Sequence, residues 1–382
     1  MVKTDLKKKV VLISAINDLT VDQRLHKVAS SLKKNDFEPH LTGIKYRKSL
    51  KIEGRPYKTS RFGMIFKKGP AFYAEFNVRL FFFLIMNKSD ILLSNDLDTL
   101  PANYLAYLLK KLFSKRIKLV YDSHELFTEL PELNGRPFTR NIWLILEKVL
   151  VPSLKNAYTV CQSIADYYEQ KYKIKMQVIR NMPVYSDNDA QKFQNSFHLP
   201  EGKKIILYQG ALNIGRGLEE MVEIMPEIDD ALLLIAGSGD IEHKLKLMVE
   251  ERALSQKIYF TGKLPFRDLN QLTQKADIGL VLQQDLSLSY RYVLPNRLFD
   301  FMKAGVPVLA SNLPEIARIV KEEKIGLLVN GLNGEELLEK LRILLYDKER
   351  IQSFKSALYK CASKYYWEND EIKLIELFKN LK

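Results

Sequence analysis

The sequence predicts an α/β protein made of two doubly wound parallel-sheet domains in tandem. Three observations carry the prediction. Short apolar runs alternate with longer stretches of helical periodicity, the pattern of parallel strands joined by crossover helices. That alternation is interrupted between Pro183 and Gly202, first by Ser186-Asp187-Asn188-Asp189 and then by Pro200-Glu201-Gly202. A length of 382 residues also suits two cores rather than one or four. The expected division is residues 1–183, residues 184–366, and a C-terminal helix over 367–382 that returns toward the N-terminal domain.

In the first half, Val10–Ala15 reads as a buried strand. Leu25, Val28, Ala29 and Leu32 recur at helical spacing and mark one apolar face. Ile91–Ser94 is the next strand, and the helix after it carries Leu105, Leu108, Leu109 and Leu112. Lys118–Tyr121 follows as a strand, and a helix near Asn141–Val151 stops at Pro152. Tyr158–Val160 and Gln177–Ile179 close the half as short strands. The second half repeats the scheme with strand Lys204–Gln209, a helix from about Arg216, strand Ala231–Ala236, a helix to Arg252 and strand Lys257–Thr261. Strand Asp277–Leu282, helix Pro295–Ala304 and strands Val306–Ala310 and Gly326–Val329 complete it. Ligands of such sheets sit beyond the carboxyl ends of the strands, so the expected active site is the cleft between two facing domains.

Composition narrows the function. With 46% apolar and 27% charged residues, wholesale disorder is excluded. Two cysteines, Cys161 and Cys361, exclude a disulfide scaffold and a four-thiolate zinc site, and the five histidines do not cluster. No metal centre or resident cofactor is expected. Lys7-Lys8-Lys9 followed by VVLISAI superficially resembles a secretory leader, but the apolar run is 7 residues and no small-residue cleavage site follows. Leu80–Met86, also 7 residues, falls far short of the roughly 20 needed to span a bilayer. The expected location is cytoplasmic, with peripheral attachment to the inner face of the plasma membrane as an option.

That option comes from charge. The net charge is +13, yet residues 1–183 hold 32 Lys and Arg against 17 Asp and Glu, while residues 184–382 hold 27 against 29. A basic half suits an anionic partner, nucleic acid or membrane surface, or is simply a solvated lysine-rich surface. Arg61, Lys67, Lys68, Arg79 and Lys88 flank the aromatic segments PAFYAEF and LFFFLIM and are the candidate membrane contacts; Leu80–Met86 itself reads as a buried helix. No helix-turn-helix or base-stacking pattern supports nucleic acid.

Several motifs sit at strand ends. Gly237-Ser238-Gly239-Asp240 follows the strand LLLIA and precedes a helix, which suits either an anion at a helix start or a tight turn. Tyr208-Gln209-Gly210 ends a strand and Gly215-Arg216-Gly217 opens a helix, so Arg216 is placed for a phosphate or is a surface arginine beside a turn. In Leu294–Pro307, Asn296 and Asp300 share one helix face, and Asp300 can accept from ribose hydroxyls or pair with Arg297 or Lys303. In the first half, Asn17-Asp18 with Asp22 and Arg24, then Ser94–Asp98, then Asp122-Ser123-His124-Glu125, place polar residues at three successive strand ends. Asp18 or Thr20, and Asp98, are also helix-cap candidates.

Six segments in order carry a family resemblance: VYDSHELFTELPE (Val120–Glu132), YQGALNIGRGLEEM (Tyr208–Met221), IAGSGD (Ile235–Asp240), FTGKLP (Phe260–Pro265), KADIGLVL (Lys275–Leu282) and LPNRLFDFMKAGVPVLAS (Leu294–Ser311). Together they resemble the retaining glycosyltransferases of family 4, glycosyl transferases group 1, which have the GT-B architecture of two Rossmann-like domains. The resemblance implies a C-terminal domain that binds a UDP- or GDP-sugar as substrate and an N-terminal domain that binds a lipid-linked or saccharide acceptor.

Carried over by position, Arg216 resembles the basic residue on the donor diphosphate, and Asp300 the second glutamate of the family's paired-glutamate motif, which engages ribose. Gly210, Gly237, Gly239, Leu294, Pro295 and Asn296 resemble the backbone around diphosphate and sugar, and Gly262, Lys263 and Leu264 bracket the base. His124 resembles the N-terminal-domain histidine near the transferred sugar, with Asp22, Arg24, Asp96 and Glu125 on the acceptor side.

The sequence departs from the pattern in three places. Tyr292 stands where the motif's first glutamate would fall, Asp300 shortens the second, and Ala211 replaces a frequent arginine, leaving Arg291 or Arg297 as substitutes. The expected activity is metal-independent transfer of a sugar to an acceptor hydroxyl with retention, in cell-envelope polysaccharide or glycolipid synthesis. The rivals are a nucleotide-sugar epimerase of similar fold and a basic membrane- or nucleic-acid-binding protein.

Overall fold

The computed structural model describes residues 8–20, 22–47, 49–114, 116–185 and 202–381. The boundary segments Ser186-Asp187-Asn188-Asp189 and Pro200-Glu201 lie outside the described residues, as does Lys7. The chain forms two compact units, Met1–Asn181 with Asn369–Lys382, and Met182–Glu368.

The N-terminal unit begins with β1 (Lys9–Asp18), α1 (Gln23–Lys34), β2 (Phe37–Lys45) and β3 (Lys58–Gly63). Next come α2 (Gly69–Met86), β4 (Ile91–Asn95), α3 (Asp96–Phe113) and β5 (Lys118–Ser123). It continues with α4 (Pro137–Leu150), β6 (Ala157–Thr159), α5 (Gln162–Tyr172) and β7 (Gln177–Val178). The strands form one seven-stranded parallel sheet in the order β3-β2-β1-β4-β5-β6-β7. The order reverses between β1 and β4, the switch point where crossovers on opposite faces leave an open crevice.

The C-terminal unit runs β8 (Lys204–Gln209), α6 (Leu218–Ile224), β9 (Ala231–Ala236), α7 (Glu242–Glu251) and β10 (Ile258–Gly262). It goes on through α8 (Phe266–Gln274), β11 (Ile278–Val281), α9 (Leu288–Arg291), α10 (Asn296–Ala304) and β12 (Val308–Ser311). Then come α11 (Pro314–Glu323), β13 (Gly326–Val329), α12 (Gly334–Tyr346) and α13 (Lys348–Cys361). Its six strands are again all parallel, ordered β10-β9-β8-β11-β12-β13, with the switch point between β8 and β11. Both sheets therefore have the doubly wound form read from the alternating pattern. The final helix, α14 (Trp367–Lys379), starts in this unit and ends in the N-terminal one, where Phe378 meets Phe37 edge-on at 5.9 Å.

Each sheet is cored by its own apolar strands. Ile206, Leu233, Ile235, Leu280 and Leu309 lie in one buried cluster with residues of α6, α7 and α12. In the other unit Val11, Ile13, Leu92, Leu93 and Val120 are buried, as are Leu25, Val28, Ala29 and Leu32, the predicted face of α1. Both cysteines are buried free thiols, so no bond joins them.

The structure corrects the sequence reading in five places. β2 and β3 were not expected, because β3 (KTSRFG) is a half-exposed edge strand with almost no apolar signal. The cap of α1 is Asp22, whose Oδ1 accepts from Leu25 N at 2.9 Å, while Asp18 accepts from Thr20 and Ser49. Asp98 does not cap α3; Asn95 holds that position. Finally, α3 forms as expected, but Leu105, Leu108, Leu109 and Leu112 are exposed, and it is Leu97, Leu100, Ala102 and Ala106 that are buried. Leu80–Met86 is likewise only partly buried, since Phe82 and Met86 face solvent.

Candidate functional site

In the N-terminal unit the three polar strand ends meet. Arg24, from the first turn of α1, is 4% exposed and grips Asp122 at the end of β5 through two bonds, Nε to Oδ2 at 3.0 Å and Nη2 to Oδ1 at 2.8 Å. Its Nη1 donates to Ile179 O at 3.1 Å, and the guanidinium lies 5.6 Å from the Tyr158 ring centroid. Asp122 Oδ2 also holds His124 Nε2 at 2.9 Å, and Asp96 Oδ2 stands 3.2 Å from His124 Nδ1. The His124 amide donates to Asp96 Oδ1 at 2.8 Å, so one carboxylate fixes both backbone and ring.

The result is an alternating chain of charges, Arg24, Asp122, His124, Asp96. Burial alone would depress the imidazole, but Asp122 and then Asp96 outweigh it and raise His124 to about 9. Burial would raise Asp122, yet Arg24 and His124 hold it well below the usual carboxylate range. Asp98, two residues beyond Asp96, is pushed well above that range by burial and then by Asp96 and Glu125. His124 is thus an imidazolium at neutral pH, with both ring nitrogens committed to carboxylates. It supplies fixed positive charge rather than a base.

Asp96 carries a further signal. Its φ is +57, left-handed backbone that a non-glycine residue adopts only where the surroundings compensate the strain. The compensation here is the pair of bonds to His124. Of the acceptor-side residues named from sequence, Asp96 holds His124 directly and Arg24 joins it through Asp122. Asp22 caps α1 and accepts from Asn17 Nδ2 at 2.8 Å, and the Glu125 carbonyl accepts from Ser123 Oγ. Asp122 itself, the centre of the network, was legible only as one letter of a polar strand end.

In the C-terminal unit the glycines explain the loops. A Cβ on Gly237, at φ +150, would lie 1.8 Å from Gly210 O, and one on Gly239 would lie 2.5 Å from Leu212 O. Gly210 N donates to Ala236 O, Leu212 N to Ser238 O and Gly237 N to Gly262 O, so the ends of β8, β9 and β10 are layered on one another. Only residues without side chains permit that approach. Gly237 and Gly239 are therefore accounted for by loop packing, Gly210 and Gly262 by their positive φ of +135 and +67, and Lys263 and Leu264 follow β10 at its carboxyl end.

Beside these loops stand two arginines. Arg216 donates through Nη1 to Gln283 Oε1, at the end of β11, and lies 4.9 Å from the Tyr290 centroid. Arg297, in the first turn of α10 and 7% exposed, donates Nη2 to Leu282 O at 2.9 Å and stacks over Tyr208 at 4.9 Å. Its Nη1 is 3.6 Å from where a Gly210 Cβ would be. Both Nε atoms are buried without a hydrogen-bond partner, and among the described residues neither arginine has a carboxylate in salt-bridge range. Burial, opposed by Tyr208 and reinforced by Arg216, lowers Arg297 to about 10.

The remaining donor candidates sit nearby. Asp300 Oδ2 accepts from Gln209 Nε2 at 3.0 Å, and Gln209 Oε1 accepts from Thr273 at 2.7 Å, so the carboxylate is held at the end of β8. Leu294 and Pro295 are buried at the start of α10, where Pro295 is the cap, and Asn296 is exposed. Arg291, the other proposed substitute for the missing arginine, is exposed and paired with Asp285 at 2.7 Å. Sequence spacing alone left Arg291 and Arg297 equivalent.

Comparison with known proteins agrees with this layout. Residues 189–360 match the family model "Glycosyl transferases group 1". A chitobiosyldiphosphodolichol beta-mannosyltransferase of Candida albicans is 22% identical over 324 residues, 76% of this chain and 68% of that protein. The matches to the first curated relatives are shorter, spanning 47% and 41% of their lengths. Among solved structures, sucrose-phosphate synthase from Thermosynechococcus elongatus superposes with a TM-score of 0.78 at 17% identity, covering 97% of this chain and 98% of that one. The Anabaena protein HepE in complex with UDP-glucose gives 0.71 at 14% identity, covering 98% and 100%. The chain has the GT-B fold, and within it residues 189–360 are similar to the glycosyl transferases of group 1.

Proposed function

We propose that the protein transfers a sugar from a nucleoside-diphosphate donor to an acceptor hydroxyl with retention of configuration, independently of metal, in polysaccharide or glycolipid synthesis. The observation that carries the reading is the pair Arg216 and Arg297, two guanidinium groups without carboxylate partners at the β8/β11 switch point. Like charges held together at a strand-end crevice call for an anion of at least two charges, which a diphosphate supplies.

In this reading the two arginines neutralise charge as it develops on the departing diphosphate, where preorganised groups act most strongly. Asp300, held by Gln209, accepts from the ribose hydroxyls. Gly262 to Leu264 bracket the base, and Gly210, Gly237, Gly239 and the Leu294–Asn296 backbone line the diphosphate and sugar. The bond from the anomeric carbon to the diphosphate oxygen breaks as the acceptor oxygen bonds to that carbon on the same face. The acceptor proton passes to the leaving phosphate oxygen. His124 adds fixed positive charge, and Asp96, Asp22, Arg24 and Glu125 shape the acceptor side. A UDP- or GDP-sugar fits the reading, and the Candida relative's name points to a lipid-linked saccharide acceptor.

The test is a thermal-shift titration of wild type and Asp300→Ala with UDP, GDP, ADP, TDP and CMP. A ligand at about 100 times its Kd stabilises the native state by about 2.7 kcal/mol. One diphosphate should raise the melting temperature of wild type by several degrees, with a smaller shift in the variant. No shift with any of them at millimolar concentration would sink the donor site. An altered nucleotide-sugar formed without acceptor would replace the transferase by an epimerase.

A further inference from the structure

We infer that the outer face of α3 and α4 docks on an anionic lipid surface. The inference starts from the leucine stripe that the core does not use. The second half of α3 presents Leu109, Leu112 and Phe113 to solvent, with Leu112 at 78% and Phe113 at 86% exposure. On α4, Trp143, Glu147 and Leu150 turn inward, while Ile142, Ile145 and Val149 are exposed at helical spacing.

These two stripes belong to one side of the molecule. The connections β3 to β4, β4 to β5 and β5 to β6 all step the same way across the sheet. Right-handed crossovers then place α2, α3 and α4 on the same face. Contacts tie them there: Tyr73 of α2 meets Trp143 at 5.2 Å, and Asn77 of α2 bonds Asp98 O and Ala102 N of α3. Each helix of this face leads into the start of a strand, so the exposed ends of α3 and α4 lie at the edge opposite the strand ends that carry His124.

Charge selects the occupant. Residues 102–116 contain no Asp or Glu and four Lys or Arg. The single acid of α4, Glu147, is buried and held by Tyr172 at 2.7 Å, while Lys111, Arg116 and Lys148 are exposed. An apolar stripe on two segments whose exposed charges are all basic matches acyl chains beneath anionic headgroups. A second copy of this chain would bring the same positive rim against itself. The basic residues picked out around α2 fit less well, since Arg79 pairs with Glu75, Arg61 binds Leu50 O and Lys67 binds Met64 O.

The experiment is flotation of the full chain with phosphatidylglycerol–phosphatidylcholine vesicles against pure phosphatidylcholine, at rising salt. Binding is expected to the anionic vesicles only and to weaken as salt rises. Leu112→Glu with Phe113→Glu should abolish it, and Lys111→Gln with Arg116→Gln should lower the partition coefficient roughly fivefold per charge. All four side chains are exposed, and unchanged melting temperatures verify that the variants fold. Equal binding by the variants, or no binding to anionic vesicles, overturns the proposal. So does a concentration-dependent dimer in ultracentrifugation that Leu112→Glu with Phe113→Glu dissociates. The vesicles contain neither donor nor acceptor, so failure here leaves the transferase reading standing, and failure of the nucleotide titration leaves this one standing.

Discussion

The two units place charge at their switch points in opposite ways. In the N-terminal unit, Arg24, Asp122, His124 and Asp96 alternate in sign, and each satisfies the next. In the C-terminal unit, Arg216 and Arg297 share a sign and have only neutral partners, a carbonyl, an amide oxygen and two tyrosine rings. A closed network holds itself together and fixes one residue's protonation. An unbalanced one costs stability until an anion arrives, which is the form a binding site takes.

The comparison can be broken most directly at Asp122. Asp122→Asn leaves the Arg24 charge buried without its counterion, and the expected loss is about 3–5 kcal/mol, read as a lower melting temperature. In the open cluster the sign should invert. Arg297→Met keeps the apolar stem and removes an unbalanced charge, so stability should hold or rise while kcat falls roughly 10²–10³-fold in a transfer assay. A large stability loss in that variant would mean Arg297 is a structural residue like Arg24.

A smaller effect belongs to the loops. Gly237→Ala puts a methyl group against Gly210 O at a φ of +150, and should cost about 1–3 kcal/mol in denaturant unfolding. Gly262→Ala meets no atom within 4 Å and should cost less, through its φ of +67 alone. Equal costs would argue against backbone approach as the reason for Gly237.

The finest probe is pH. His124 sits at about 9, above its ordinary 6.5, so the stability it contributes is complete below pH 6.5 and is lost as the pH rises through 9. Asp122 is depressed, so its contribution is present above the ordinary carboxylate value and lost only in acid. The His124 ring resonances should therefore titrate near pH 9. Asp96→Asn should move that titration downward, and an unmoved titration would remove Asp96 from the network.

Much of this was legible beforehand where a residue's role is set by its neighbours in sequence. The leucine face of α1, the strand ends at Gln209 and Ala236, and the stop of α10 at Gly305 all follow from local spacing and turn chemistry. β3 escaped notice because an edge strand has little to bury. Leu105, Leu108, Leu109 and Leu112 are exposed, since helical spacing marks an apolar stripe without deciding what it faces. Arg291 and Arg297 looked alike because ion pairing with Asp285, six residues back, appears only once α9 is formed.

The sequence by itself determined the two parallel sheets, their crossovers and the polar character of the strand ends, because periods of two and 3.6 and glycine punctuation act over a few residues. The tertiary structure alone decided which charges cancel. Asp122 stands 98 residues from Arg24 and 26 from Asp96, and Arg216 stands 67 from Gln283. Pairing at those separations depends on strand order and register, which place distant side chains within about 3 Å, and no local pattern encodes it.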